Sequence, residues 1–192
     1  MSTSFLDQTE LAALGLAGYG ENVLISRKAS IYGAGRIRIG NHVRIDDFCV
    51  LSAGKGGIEM GSYIHVAVFS LLIGAEQITL GDFANISSRV SVYSSSDDYS
   101  GETMTNPMVP DRYKRVDNRP VVIGRHSIVG SGAILLPGTE LGDGCAVGAL
   151  SLVTGQCKAF TIYAGIPAVE KGKRKTDLLA LEEVFTRDAI RP

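Results

Sequence analysis

From Ile123 to Lys158 the chain keeps a six-residue beat. An aliphatic side chain returns at Ile123, Val129, Leu135, Leu141, Val147 and Val153. Four positions after each stands a small residue: Ser127, Ala133, Thr139, Cys145, Ser151 and Cys157. Glycine follows the aliphatic residue at Gly124, Gly130, Gly142 and Gly148. An amphipathic helix would repeat at 3.6 residues and a half-buried strand at two. A beat of six suits a short flat strand plus a sharp corner, three of which close one triangular coil. The aliphatic side chain then points into a narrow prism, and the small residue fits where a bulky one would clash. Stacked coils hydrogen-bond to one another, so the backbone is paired along the whole solenoid.

The same beat runs upstream with interruptions. Ile25 and Ile31 start it; Ile39, Ile45 and Leu51 continue it, followed by Met60, Val66 and Leu72, then Leu80, Ile86 and Val92. Extra residues near Gly35–Arg38, Gly54–Gly57 and Gly74–Thr79 predict bulged corners or small loops. A longer break over residues 94–120 is polar and carries Pro107, Pro110 and Pro120. A loop of that length inside a repeat predicts a functional segment or an oligomer arm. The expected organisation is a cap segment over 1–24, a β-helix over 25–168 with its loop at 94–120, and a helical tail over 169–192. A short helix from Phe5 to Leu16 and another from Lys173 to Ala189 are expected to cap the open ends of the stack.

Composition narrows the reading. Hydrophobic residues make up 45% of 192, enough for a core. A formal net charge of −1 argues against a nucleic-acid partner. No apolar run reaches membrane-spanning length, and the N-terminal residues lack a basic start and an apolar signal core. These features predict a cytoplasmic protein with no membrane insertion. Cys49, Cys145 and Cys157 have neither metal nor redox spacing and read as free thiols, the last two as small core fillers.

The hexads, the long loop and the segment Tyr163-Ala164-Gly165-Ile166-Pro167-Ala168 resemble the left-handed β-helix hexapeptide-repeat acyltransferases. The nearest pattern is that of the maltose and galactoside O-acetyltransferases and related polysaccharide sugar acetyltransferases. The resemblance covers about Ile31 to Ala168. It implies an all-β, left-handed parallel β-helix, a homotrimer with clefts between prisms, acetyl-CoA as co-substrate and no metal. Matching the hexads puts Ser131, Ala149 and Thr154 on coenzyme A contact positions. Two basic positions of the family are Gly155 and Val169 here; Lys158, Lys171, Lys173 or Arg174 would supply that charge.

Acyl transfer from a thioester needs a base near the attacking group and a donor for the oxyanion. The family's histidine comes at the start of the loop. The matching stretch, Tyr93-Ser94-Ser95-Ser96-Asp97-Asp98-Tyr99, puts Asp97 in the histidine slot. His42 and His126 read as surface residues, so His65 is the expected general base. Asp97 or Asp98 would orient its ring, stabilise the imidazolium or bind a charged acceptor; for a neutral amine Asp97 itself would act as the base. Tyr93, Ser96, Tyr99, Asn106 and Arg112 are expected to line the acceptor pocket. The leading expectation is an acetyl-CoA-dependent O-acetyltransferase acting on a sugar or sugar nucleotide in surface polysaccharide synthesis. Its alternative is N-acetylation of an amino sugar nucleotide, which the loop's acidic residues would suit. A zinc enzyme of the carbonic anhydrase type and a non-catalytic scaffold are weaker readings.

Overall fold

A computed structural model describes residues 4–189. Met1–Thr3 and Ile190–Pro192, the outer ends of the expected cap segment and tail, lie outside the described residues. The chain winds into the triangular parallel β-helix that the hexads predicted, left-handed as the family resemblance implied, with three sheets forming the faces of a prism. The first face has seven strands, the second eight and the third six. Successive coils pair in parallel and in register, so equivalent residues form straight columns. On the first face Met60 pairs with Leu80 and Leu80 with Ile123. On the second, Val66, Ile86 and Val129 line up. On the third, Leu51, Leu72, Val92 and Leu135 do. All ten side chains are buried. Each such residue taken from water contributes roughly 1.5–3 kcal/mol. Cys49, Cys145 and Cys157 are free and buried.

The three edges of the prism are not alike. Between the first and second faces, His42, Tyr63, Phe83 and His126 all adopt left-handed backbone, with φ of 55–61°. Left-handed φ is unfavourable for residues with a Cβ. Here it turns each ring outward at the same height on successive coils, and the rings stack at 4.7–5.0 Å. We call this the tyrosine edge. Between the second and third faces Phe48 and Phe69 do the same, with φ of 60° and 63° and centroids 5.0 Å apart. This is the phenylalanine edge. The third edge takes every insertion: the tight turns at Ala34–Arg36 and Lys55–Gly56, the bend at Ala75–Glu76, and the long loop. It is the loop edge.

The ends depart from expectation. Helix α1, Gln8–Ala13, is shorter than predicted; Asp7 and Glu10 form its capping box, and Leu11 is buried in the hydrophobic core. At the other end Val169–Lys173 is not helix but a strand, antiparallel to Thr161–Ala164 at the end of the second face. Helix α2, Asp177–Ala189, does not cap the stack. It lies along the tyrosine edge. Phe185 meets Tyr63 and Phe83 edge-on at 5.1 and 6.1 Å. Glu182 binds Arg125 and, at 2.8 Å, His126 Nε2. His126, expected at the surface, is covered by this helix, its side chain 12% exposed. The apolar residues that suggested an end cap instead follow the groove beside the ladder.

Two stability outcomes follow from the columns. Leu72→Ala leaves a gap between fully buried neighbours and should cost about 2–5 kcal/mol in denaturant unfolding. At Gly56 an added Cβ would lie 2.2 Å from the Gln77 backbone nitrogen, so Gly56→Ala should lower the melting temperature although the residue sits on a surface turn.

Candidate active site

Residues 94–120 leave the stack after Ser91–Tyr93 and rejoin it at Val121. A short antiparallel ribbon, Ser95–Ser96 against Asp117–Asn118, closes the base of the loop. Above it the loop is tied by Asp98. The Ser100 amide and hydroxyl donate to one carboxylate oxygen at 2.8 and 2.6 Å. The Thr103 amide and hydroxyl donate to the other at 3.1 and 2.8 Å, and Arg115 Nη2 approaches it at 3.7 Å. These bonds, Ser100's first, hold the Asp98 carboxyl far below the usual carboxylate range.

Asp97 is differently placed. It is exposed, and its carboxylate accepts one long backbone bond, from the Asn106 amide at 3.3 Å. Both aspartates line a cavity of about 550 Å³, together with Tyr99, Arg115, Val116, Asp117 and Asn118. Arg119 takes Asp117 with Nη2 at 2.6 Å, and Arg115 is shared between Glu102 and Asp98. Among the described residues Asp97 is therefore the lining carboxylate with no cation beside it.

The structure separates other residues that the sequence grouped. Ser96 sits in the ribbon and Tyr99 stands 94% exposed at the cavity. Asn106 uses its side chain to hold the Met108 amide at 3.0 Å. Arg112 lies over the ring of Tyr113, and Tyr93 belongs to the third face. His65 lies elsewhere, on the outward side of the second face between Arg44 and Asn85. Its Nε2 is 2.8 Å from Asp46, so the carboxylate that orients its ring is neither Asp97 nor Asp98. Burial pushes the Asp46 carboxyl up, but hydrogen bonds from His65 and Arg44 outweigh that and leave it below its ordinary value. The register holds the signal for this pair: one coil back from His65 is Arg44, and Asp46 follows two residues later.

The coenzyme positions also divide. Ser131 and Ala149 stand on successive coils of the phenylalanine edge, where the Leu150 amide donates to the Ser131 carbonyl at 2.9 Å. Thr154 follows the strand Leu152–Val153 onto the loop edge. Lys158 lines a small cleft of about 260 Å³ beside Tyr163, with Nζ 3.1 Å from Glu170, and that carboxylate raises its pKa. Lys171 lies in the terminal antiparallel strand. Arg174 bonds the carbonyls of His126 and Gly144 at 2.7 and 3.0 Å, a structural duty on the tyrosine edge. Among the described residues no His, Cys, Asp and Glu group could hold a metal, and no helix is long and apolar enough to cross a membrane.

Comparison with known proteins places this geometry. Residues 120–155 match the family model described as bacterial transferase hexapeptide (six repeats). The dTDP-4-amino-4,6-dideoxy-D-glucose acyltransferase of Escherichia coli is 52% identical over 187 residues, 97% of each chain. The putative lipopolysaccharide biosynthesis O-acetyl transferase WbbJ of Escherichia coli K12 is 27% identical, over 85% of this chain and 76% of its own. AntD, an N-acyltransferase from Bacillus cereus solved with dTDP and 3-hydroxybutyryl-CoA, superposes with a TM-score of 0.95 at 43% identity. That match covers 99% of this chain and all of AntD. Another AntD crystal structure, of a serine-to-cysteine mutant, contains dTDP-4-amino-4,6-dideoxyglucose and coenzyme A.

The lowered Asp98 pKa gives the loop a pH dependence. A carboxyl whose folded value lies below its unfolded value stabilises the fold above the unfolded value, and that contribution fades as pH falls toward the folded one. Limited proteolysis should therefore cut residues 99–116 faster as pH drops below the ordinary carboxylate range. Asp98→Asn should make the loop equally labile at neutral pH, while Asp97→Asn leaves the cutting rate unchanged.

Proposed function

We propose that this chain, which belongs to the hexapeptide-repeat acyltransferases, transfers an acyl group from acyl-CoA to the amino group of a dTDP-4-amino-4,6-dideoxyhexose. The observation that carries this reading is the unpaired Asp97 carboxylate at the loop cavity, beside an Asp98 already consumed in tying the loop. A carboxylate is a poor base for a hydroxyl but a suitable partner for an amine. The neutral amine donates an N–H to Asp97 and its lone pair attacks the thioester carbonyl carbon. Nitrogen in the tetrahedral adduct is cationic, and its proton passes to the carboxylate. Collapse breaks the carbon–sulfur bond, the amide forms, and the departing thiolate takes the proton. The AntD complex with dTDP-4-amino-4,6-dideoxyglucose and the Escherichia coli relative named for the same sugar nucleotide support this acceptor over a hydroxyl, and the second AntD complex holds dTDP beside an acyl-CoA.

The assembly in this reading is the homotrimer that the family resemblance implies, and more than one copy is needed because one prism divides the site. Ser131 and Ala149, the positions for the pantetheine arm, are on the phenylalanine edge, and Asp97 leaves from the loop edge, a full face away. A neighbouring prism bringing its loop against the phenylalanine edge joins them. Exposed Met104 and Met108 on that loop, 57% and 90% exposed, suit an arm that is covered on assembly.

A second reading keeps the hydroxyl acceptor, on the strength of the His65–Asp46 pair, whose 2.8 Å contact is that of an oriented general base. Kinetics separate the two. With an amino sugar nucleotide and acetyl-CoA, Asp97→Asn should lower kcat/KM by about 10²–10⁴-fold, the usual share of a proton-transfer group. His65→Ala should stay within a few-fold of the unaltered enzyme. The reverse ranking, with a hydroxyl sugar as the working acceptor, transfers the reaction to His65. Light scattering should give three times 20.4 kDa; a monomer that turns over would remove the shared site.

A further inference from the structure

Two of the prism's edges carry the same device and only one is covered. On the tyrosine edge the stacked rings of Tyr63 and Phe83 meet a third ring, Phe185 of α2, at 84° and 81°. One aromatic plane thereby spans two rungs in the edge-to-face arrangement that ring quadrupoles favour. On the phenylalanine edge Phe48 and Phe69 stack 5.0 Å apart at 11°, yet they are 48% and 49% exposed. Their outer ring faces are taken by cations: Lys28 Nζ lies 5.3 Å from the Phe48 centroid, and the Arg89 guanidinium lies 5.7 Å from that of Phe69. The free part of the ladder is the row of ring edges, the surface that Phe185 covers on the other side.

The charges along this edge differ in what they already hold. Lys28 is bound to Asp47 at 2.8 Å. Arg89, one coil beyond Phe69, has no carboxylate partner among the described residues. The edge then continues into Ser131 and Ala149, the positions proposed for the pantetheine arm. Reading from the N-terminal coils, one line carries an open aromatic ladder, an unpaired guanidinium and the thioester end of the acyl donor.

We propose that the phenylalanine edge is the nucleoside diphosphate subsite of the acceptor: the base lies flat across the edges of Phe48 and Phe69, and Arg89 neutralises the diphosphate. The order matches the chemistry of a sugar nucleotide. Base, diphosphate and sugar follow one another toward the C-terminal coils, so the amine arrives where the thioester lies. A guanidinium is suited to phosphate because its donors fork onto two oxygens. The subsite rests on the acceptor being a sugar nucleotide, as argued above, but assigns residues that the loop chemistry does not touch.

The test is binding of dTDP to the full-length protein, without acyl-CoA, by calorimetry. Asparagine tolerates left-handed backbone, so Phe69→Asn and Arg89→Asn keep the corner while removing the ring or the charge. Each should weaken dTDP binding about tenfold, the scale of one aromatic or charge-assisted contact. Coenzyme A affinity and assembled mass should not change. Tyr63→Asn, on the covered edge, should leave dTDP affinity alone. Variants that bind dTDP as tightly as the unaltered protein overturn the subsite. Loss of assembled mass by Phe69→Asn, with dTDP affinity kept, also overturns it and makes the ladder a contact between copies. An unaltered protein that binds coenzyme A but not dTDP takes down the sugar-nucleotide reading itself, a result distinct from either.

Discussion

Everything in this molecule depends on the in-register parallel pairing of one coil with the next. Neighbouring strands lie about 4.8 Å apart, and a residue at one height recurs almost directly above its equivalent on the coil below. Inward, that makes continuous aliphatic columns such as Leu51, Leu72, Val92 and Leu135. Outward, it turns single residues into ladders. The spacing between coils is close to the stacking distance of aromatic rings, so a ring at a left-handed corner meets the ring above it at 4.7–5.0 Å. Stacking of that kind offsets the strain of a positive φ at a residue with a Cβ.

The same constraint confines variation to the edges. A face cannot take an extra residue without breaking register along its whole column, whereas a corner can. All the larger insertions accordingly fall on one edge, and the longest of them carries the aspartate proposed to meet the acceptor. Within it the two adjacent aspartates differ in what they hold. Asp98, 7% exposed and bonded to two hydroxyls and two amides, fixes the loop's shape. Asp97 is left with a single backbone contact and an open cavity. Rigid support from one carboxylate lets its neighbour keep its bonding capacity for a ligand.

Helix α2 shows how a bare ladder is completed. Phe185 and Glu182 together satisfy two ring edges, an arginine and a histidine on the tyrosine edge. The phenylalanine edge repeats the rings and one unpaired cation without such a cover. The pairing of an aromatic plane with an anion that α2 supplies internally on one side is also the chemistry of a nucleotide.

The fold was legible in the chain because the hexad ties a residue's identity to its position in a coil: Ile123, Leu141 and Val153 could face only inward. The insertions near Gly54 and Gly74 were visible for the same reason, as breaks in a fixed beat. The loop's acidic pair was visible too, though not which carboxylate was free, since Asp98's partners Thr103 and Arg115 come from parts of the loop that no periodicity relates. The chain likewise pointed to His65 but paired it with Asp97 or Asp98. Asp46, 19 positions earlier, reaches it only because one coil stacks on the next. The apolar spacing of Leu178, Leu181 and Phe185 predicted a helix, but it could not say that the helix would lie along the tyrosine edge. Local sequence sets what a segment can bury; which surface it buries is decided by shape and charge that appear only after the coils have closed.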